Sequence, residues 1–201
     1  MIAIIDYGAG NIKSLQFALT RQNLDSQLTA DPETIRKSDA VILPGVGAFK
    51  DAMDSLNSLG LTTVIKEAAK TGKPILGICL GMQLFYDTSE EDGRWQGLGL
   101  LEGKVGRISN TVKVPHMGWN TLRQHAPSPL LEDITDNTYV YFVHSYAVKD
   151  YQEETLISST EYGGIVPAIV QKDNIIGMQF HPEKSGSAGL KLLQNFRRMI
   201  S

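Results

Sequence analysis

Lys73-Pro74-Ile75-Leu76-Gly77-Ile78-Cys79-Leu80-Gly81-Met82-Gln83-Leu84-Phe85 holds the only cysteine of the 201-residue chain. Pro74 punctuates its start, and Ile75, Leu76 and Ile78 form the short apolar run of a buried strand. From Leu80 the apolar spacing changes to Leu80, Leu84 and Phe85, which predicts a helix from Leu80 to about Asp87. Cys79 therefore sits where a strand turns into a helix. Gly77 and Gly81, two residues to either side, permit a sharp bend and close packing of the helix, as in a G-x-S-x-G nucleophile elbow. Free N–H groups at a helix start favour a sulfur anion, the nucleophilic form. A cysteine is also a good small core residue, so the bend alone leaves nucleophile and packing both open. The decision needs a base elsewhere.

Ile175-Ile176-Gly177-Met178-Gln179-Phe180 predicts a strand that runs into His181-Pro182-Glu183-Lys184-Ser185. In extended chain residues i and i+2 share a face, and Pro182 stiffens the backbone between them, so His181 and Glu183 are expected to point the same way. Glu183 would accept from one ring nitrogen while the other faces Cys79, giving nucleophile, base and orienter. Taken alone, His-x-Glu at a strand end is more often an ordinary surface pair than a catalytic one, and the cysteine elbow reverses that balance. His116 and His144 compete as bases by composition, and His125, beside Ala126-Pro127, is a weaker candidate.

Outward from the elbow, strands and helices alternate. Ile2, Ile4 and Ile5 read as a strand that breaks at Asp6-Tyr7-Gly8-Ala9-Gly10-Asn11 before a helical pattern from Ile12 to Leu19. Two glycines there fall short of a dinucleotide-binding fingerprint. A strand near Gln27 to Ala30, a helix start at Asp31-Pro32, and an apolar strand Ala40-Val41-Ile42-Leu43 follow, then two short helices through Phe49, Met53 and Leu56 and through Leu61 to Ala68. That rhythm predicts an α/β fold with a central, mostly parallel sheet and helices on both faces, its ligands at the carboxyl ends of the strands. Pro44-Gly45-Val46-Gly47 and Cys79 both occupy such ends. The glycines flanking Val46 let its peptide N–H groups turn into a cavity, or they make an ordinary turn.

After the elbow, Ser89 to Gly93 reads as a solvated acidic loop and Gly97 to Leu101 as an apolar, glycine-punctuated stretch, with no chemistry assigned to either. The second half changes character: short strands near 104–108, 121–122, 139–143, 155–159, 168–171 and 175–180 follow without long helices between them, a partly antiparallel extension. An amphipathic helix over 186–199 closes the chain.

The nineteen Lys and Arg are scattered, and the net charge is -3. Such a surface gives no footprint for nucleic acid or for an anionic membrane. One cysteine excludes an intrachain disulfide, and no Cys/His set has metal-site spacing, so neither metal nor cofactor is expected. No signal-peptide pattern opens the chain and no apolar run approaches about 18 residues, so a cytoplasmic protein with small-molecule ligands is expected. The length suits one domain over residues 1–201.

Gly77-Ile78-Cys79-Leu80-Gly81-Met82-Gln83 together with His181-Pro182-Glu183 resembles the triad-type (class I) glutamine amidotransferases, which implies a flavodoxin-like three-layer fold. Asp6 to Asn11, Pro44-Gly45-Val46-Gly47-Ala48-Phe49, Pro115-His116-Met117-Gly118-Trp119-Asn120 and Phe142-Val143-His144-Ser145-Tyr146 are similar, more narrowly, to the glutaminase subunits of imidazole glycerol phosphate synthase. The resemblance implies that Cys79, His181 and Glu183 hydrolyse glutamine through a thioester. Val46, Gly47 and Leu80 would supply the oxyanion hole, and Gly45, Gln83, Ser145 and Tyr146 would hold the substrate. It also implies a partner, a (β/α)8-barrel cyclase subunit that takes the ammonia, with Trp119, Asn120, Tyr141 and Lys184 as candidates for the contact and the ammonia gate. A barrel needs about 250 residues, so it belongs to a second polypeptide. The rival readings are a glutaminase subunit of another amidotransferase, a stand-alone cysteine hydrolase, and a noncatalytic binding subunit.

Overall fold

The computed structural model describes residues 1–8 and 12–200. Ala9, Gly10 and Asn11 of the N-terminal motif lie outside the described residues. Five strands make the parallel half of an eight-stranded sheet: β1 (Ile2–Ile5), β2 (Ser26–Thr29), β3 (Ala40–Leu43), β4 (Ile75–Ile78) and, from the far end of the chain, β14 (Ile175–Met178). The order across the sheet is β2-β1-β3-β4-β14, then β13 (Ile165–Lys172), β12 (Leu156–Glu161) and β9 (Arg123–Gln124), which pair antiparallel. The mostly parallel sheet with an antiparallel extension is thus as expected.

The central strands are uniformly apolar because both of their faces are covered. Ile2, Ile4, Ala40, Ile42, Leu76 and Ile78 face a cluster that includes Leu15 and Leu19 of α1 (Ile12–Arg21) and Leu192, Leu193 and Phe196 of α6 (Gly186–Arg198). The alternate residues Ala3, Ile5, Val41, Leu43 and Ile75 face a second cluster with Ile35 of α2 (Pro32–Lys37), Phe49 and Leu56 of α3 (Phe49–Ser58) and Leu61 and Ile65 of α4 (Leu61–Lys70). Three layers result. Asp31 caps α2 by accepting from the Thr34 N–H, with Pro32 at the first helical position, as the Asp-Pro signal suggests.

The helix after the elbow is shorter than expected. α5 spans only Leu80–Gln83, and Tyr86–Ser89 is a strand, β5, parallel to β7 (Leu101–Arg107) in a four-stranded sheet of order β11-β7-β5-β6, with β6 at Trp95–Gln96 and β11 at Tyr146–Lys149. Aromatic and hydroxylated residues over Phe85 to Ser89 favour extended chain. The returning segment completes the break: Leu100 N and Leu101 N donate to the Phe85 carbonyl, and Leu98 N donates to that of Leu84. A separate antiparallel ribbon joins β8 (His116–Thr121) to β10 (Tyr139–His144). Among the described residues, no helix is long and apolar enough to cross a membrane.

Candidate active site

The carboxyl ends of β3, β4 and β14 lie side by side, and each delivers part of one site. At the end of β4, Cys79 adopts φ 54° and ψ -112°, a left-handed backbone unusual for a non-glycine residue. Such a conformation throws the side chain out of the strand line before α5 starts, which is how an elbow presents its nucleophile. The bend is held by Cys79 N–H donating to the Met178 carbonyl (2.7 Å) and by Gln83 N–H donating back to the Cys79 carbonyl (3.2 Å). Gly81 runs directly against the end of β3: a Cβ there would stand 1.8 Å from the Leu43 carbonyl oxygen. Only glycine fits at that contact.

The sulfur of Cys79 lies between the Val143 carbonyl and the Gln179 amide, each 3.8 Å away. Val46, Gly47, Leu80, Gln83, Ser145, Tyr146 and His181 join Cys79 around one cavity of about 290 Å³, completed by Glu91, Val143 and His144. That is close to the lower bound of small-molecule sites, about 300 Å³. His181 Nδ1–H donates to Glu183 Oε1 at 2.8 Å, and both side chains are buried. Its Nε2 is buried without a well-formed hydrogen bond among the described residues. Burial opposes a charged ring, but the Cys79 sulfur and the Glu183 carboxylate outweigh it and push His181 up to about 10.

His181 and Glu183 meet by a different route from the strand alternation expected. Only His181 is extended; Pro182–Lys184 is a 3₁₀ turn that curls Glu183 back beneath the ring. The segment is clamped by β10, where His181 N–H donates to the Tyr141 carbonyl (2.9 Å) and Tyr141 N–H donates to Ser185 Oγ (2.9 Å). Ser185 Oγ in turn donates to the His181 carbonyl (2.7 Å).

The remaining named residues divide. Gly45 packs behind the cavity wall, with Tyr7 Oη, Gly81 N and the Leu80 Cβ within 2.9 Å of where its own Cβ would stand. Trp119 and Tyr141 are cross-strand partners on the β8–β10 ribbon, their rings edge to face at 5.9 Å, and Trp119 is 55% exposed. Asn120 follows on the same ribbon, and Lys184 is exposed at the end of the 3₁₀ turn. None of these five lines the cavity.

Three contributors escaped the sequence reading. Gln179 is fully buried, and its Oε1 accepts from Gln83 Nε2 at 2.9 Å. A polar residue within the otherwise apolar run Ile175 to Phe180 was the available signal. Tyr7 is buried and donates to the Pro44 carbonyl (2.7 Å), bracing the loop that carries Val46; burial first, and the nearby Cys79 second, push its hydroxyl upward. Glu91, read as part of a solvated loop, reaches the cavity and accepts from the Phe49 N–H at the start of α3 (2.7 Å). Burial pushes its carboxyl up. No local pattern marks it, since the fold of β5 and β6 brings it there.

Residues 3–199 match the model of the family described as glutamine amidotransferase class-I. The chain belongs to that family. This class I glutamine amidotransferase is 62% identical over its whole length to the whole of the imidazole glycerol phosphate synthase subunit HisH of Oceanobacillus iheyensis. It is 50% identical to the subunit of the same name from Bacillus licheniformis, over 98% of this chain and 96% of that one. Among solved structures it superposes on PurLQS from Thermotoga maritima with a TM-score of 0.79 at 19% identity, covering 100% of this chain and 98% of the other. A crystal structure of a glutamine amidotransferase gives the same TM-score at 16% identity, covering 100% and 99%. Those two likenesses are of fold. Among the described residues, no three potential metal-ligating side chains cluster.

Proposed function

We propose that this chain is the glutaminase subunit of an imidazole glycerol phosphate synthase, with the whole of residues 1–201 forming one amidotransferase domain. Cys79 is its nucleophile, His181 its acid and base, and Glu183 the group that orients His181. The observation that carries this reading is the shared cavity: one wall holds Cys79 on a strained elbow, and the facing wall holds a buried imidazole whose far nitrogen is tied to a carboxylate.

In this reading the Cys79 proton already rests on His181, and the thiolate attacks the side-chain carbonyl of glutamine. The oxyanion lies against the N–H groups of Leu80 and of the Val46-Gly47 segment, donors placed where the charge develops. His181 then gives its proton to the departing nitrogen, and the C–N bond breaks to release ammonia and a glutamyl thioester. Water, deprotonated by His181, attacks the thioester; the C–S bond breaks, the thiolate is regenerated, and glutamate leaves. Gln83 and the backbone of Ser145 and Tyr146 suit the polar groups of glutamine, and Gly45 shapes the wall behind them. Glu91, the one acidic side chain of the lining, suits its α-ammonium group.

Ammonia passes to a (β/α)8-barrel cyclase that makes imidazole glycerol phosphate and an aminoimidazole-carboxamide ribonucleotide, as in histidine biosynthesis. The names of the relatives support that partner. The exposed Met117, Trp119 and Tyr139 on the ribbon next to the site support a docking surface there, with Tyr141 opposite Trp119 and Lys184 also exposed; Asn120 falls on the other face of the ribbon, turned toward His116. The deciding experiment measures glutamate release from glutamine by the chain alone, and then with the cyclase and its nucleotide acceptor. Strong stimulation is expected. Turnover indifferent to the cyclase, or of peptides and esters without it, would favour the stand-alone hydrolase instead.

A further inference from the structure

His116 and His144 are both buried, stand outside the nucleophile–base–carboxylate set, and are linked. His144 Nδ1 lies 2.8 Å from the Tyr146 carbonyl, His144 Nε2 lies 3.0 Å from His116 Nδ1, and His116 Nε2 lies 3.2 Å from Asn120 Nδ2. The two ends of this chain fix its direction independently. At the surface end, Asn120 Oδ1 accepts from the Thr121 N–H (2.8 Å) and Nδ2 donates to the Glu161 carbonyl (3.1 Å), so the amide cannot be reversed. Asn120 therefore donates to His116, whose Nε2 must accept and whose Nδ1 must carry the hydrogen. His116 Nδ1–H then donates to His144 Nε2, leaving the hydrogen of His144 on Nδ1. At the cavity end a carbonyl can only accept, and it requires that same hydrogen on His144 Nδ1. The two constraints agree.

The Tyr146 carbonyl also accepts from Gln83 Nε2 at 2.9 Å. We infer that His116 and His144 are positioning residues: a rod of neutral Nδ1–H imidazoles, anchored at Asn120, that fixes the Tyr146 carbonyl and through it orients the Gln83 side chain beside bound glutamine. His116 is held flat for this task between Tyr162 (ring centroids 3.9 Å apart) and Phe142 (4.6 Å). A proton added to either ring would set two donors face to face, and burial, the first cause of shift for both, holds each down to about 4. The rod is rigid because each member has one allowed hydrogen placement.

The functional part of this inference rests on the proposed glutaminase reading, and the test separates the two. Nitrogen-15 long-range imidazole spectra of the full-length chain at neutral pH are expected to show both rings as Nδ1–H tautomers. An Nε2–H tautomer at either ring, or a charged ring, overturns the rod whatever the chain catalyses. His116→Phe keeps the aromatic stack and removes both nitrogens; in the complex with its cyclase it should raise the KM for glutamine about tenfold and lower kcat less than threefold. His116→Asn, whose amide can replace the Nδ1–H donor, should bring KM back to within about threefold. Equal KM values for His116→Phe and the unaltered chain, or a loss in which His116→Asn fares no better, would refute the positioning role.

Discussion

Adding a single methyl group at Gly81 should disable the site. A Cβ at this position would stand 1.8 Å from the Leu43 carbonyl oxygen and 2.8 Å from its carbon, both backbone atoms of the central strand β3. Since separations under 3.0 Å are essentially never tolerated, the elbow and β3 must part by at least 1.2 Å, the difference between 3.0 and 1.8. Overpacking of this kind costs about 1–3 kcal/mol. Cys79 lies two residues back, and a displacement of about 1 Å at a reacting atom costs about 100-fold in rate. Gly81→Ala is therefore expected to lower kcat/KM for glutamine about 100-fold in the complex while ammonia-dependent synthesis by the cyclase continues. Denaturant titration should register the lost stability. Gly60→Ala serves as the contrast, because Gly60 has φ 69° with nothing within 4 Å of its Cβ position and sits between α3 and α4. It should cost about 1 kcal/mol from the left-handed backbone alone and leave glutamine turnover within about threefold. Full activity in Gly81→Ala, or equal inactivation by both substitutions, would refute the claim that this contact sets the position of Cys79.

Cys79→Ala should abolish glutamine-dependent synthesis and preserve synthesis from added ammonia; loss of both would mean failed assembly. The same variant removes one of the two groups that hold His181 above its ordinary 6.5. A raised folded-state pKa stabilises fully below about 6.5 and loses that contribution as pH rises through about 10. In Cys79→Ala the loss should move to lower pH, read as a lower His181 midpoint in an NMR titration; an unmoved midpoint would contradict the coupling. Gln179→Leu deletes the acceptor of one Gln83 hydrogen bond in a fully buried place and should raise the KM for glutamine about fivefold, equivalent to about 1 kcal/mol, a change absent if Gln179 merely fills space. Trp119→Ala should weaken binding to the cyclase about 30-fold, or about 2 kcal/mol, in calorimetric titration, and an unchanged Kd would remove the β8–β10 ribbon from the contact.

Much of this architecture was legible in the chain because its information is local or periodic. Continuous apolar runs such as Ala40–Leu43 declare strands covered on both faces, and the spacing around Leu15 or Phe196 declares helices that cover them. The strand-to-helix switch at Cys79, with small residues at Gly77 and Gly81, announced an elbow before any partner was known. Three-dimensional packing decided what local signals could not. α5 stops after Gln83 because the Leu98 to Leu101 segment takes up the Leu84 and Phe85 carbonyls, an interaction across more than a dozen residues. His181 meets Glu183 through a 3₁₀ turn rather than a strand face. Gln179, Glu91 and the linked His116 and His144 acquire their roles only from neighbours distant in sequence, since hydrogen-bond partners and hydrogen placement depend on where folding brings the other atom. The sequence by itself determined the layered sheet and the identity of the nucleophile–base candidates, because periodicity and turn chemistry act within a few residues. The tertiary structure decided the cavity and the direction of every hydrogen bond around it, because those are properties of juxtaposed elements.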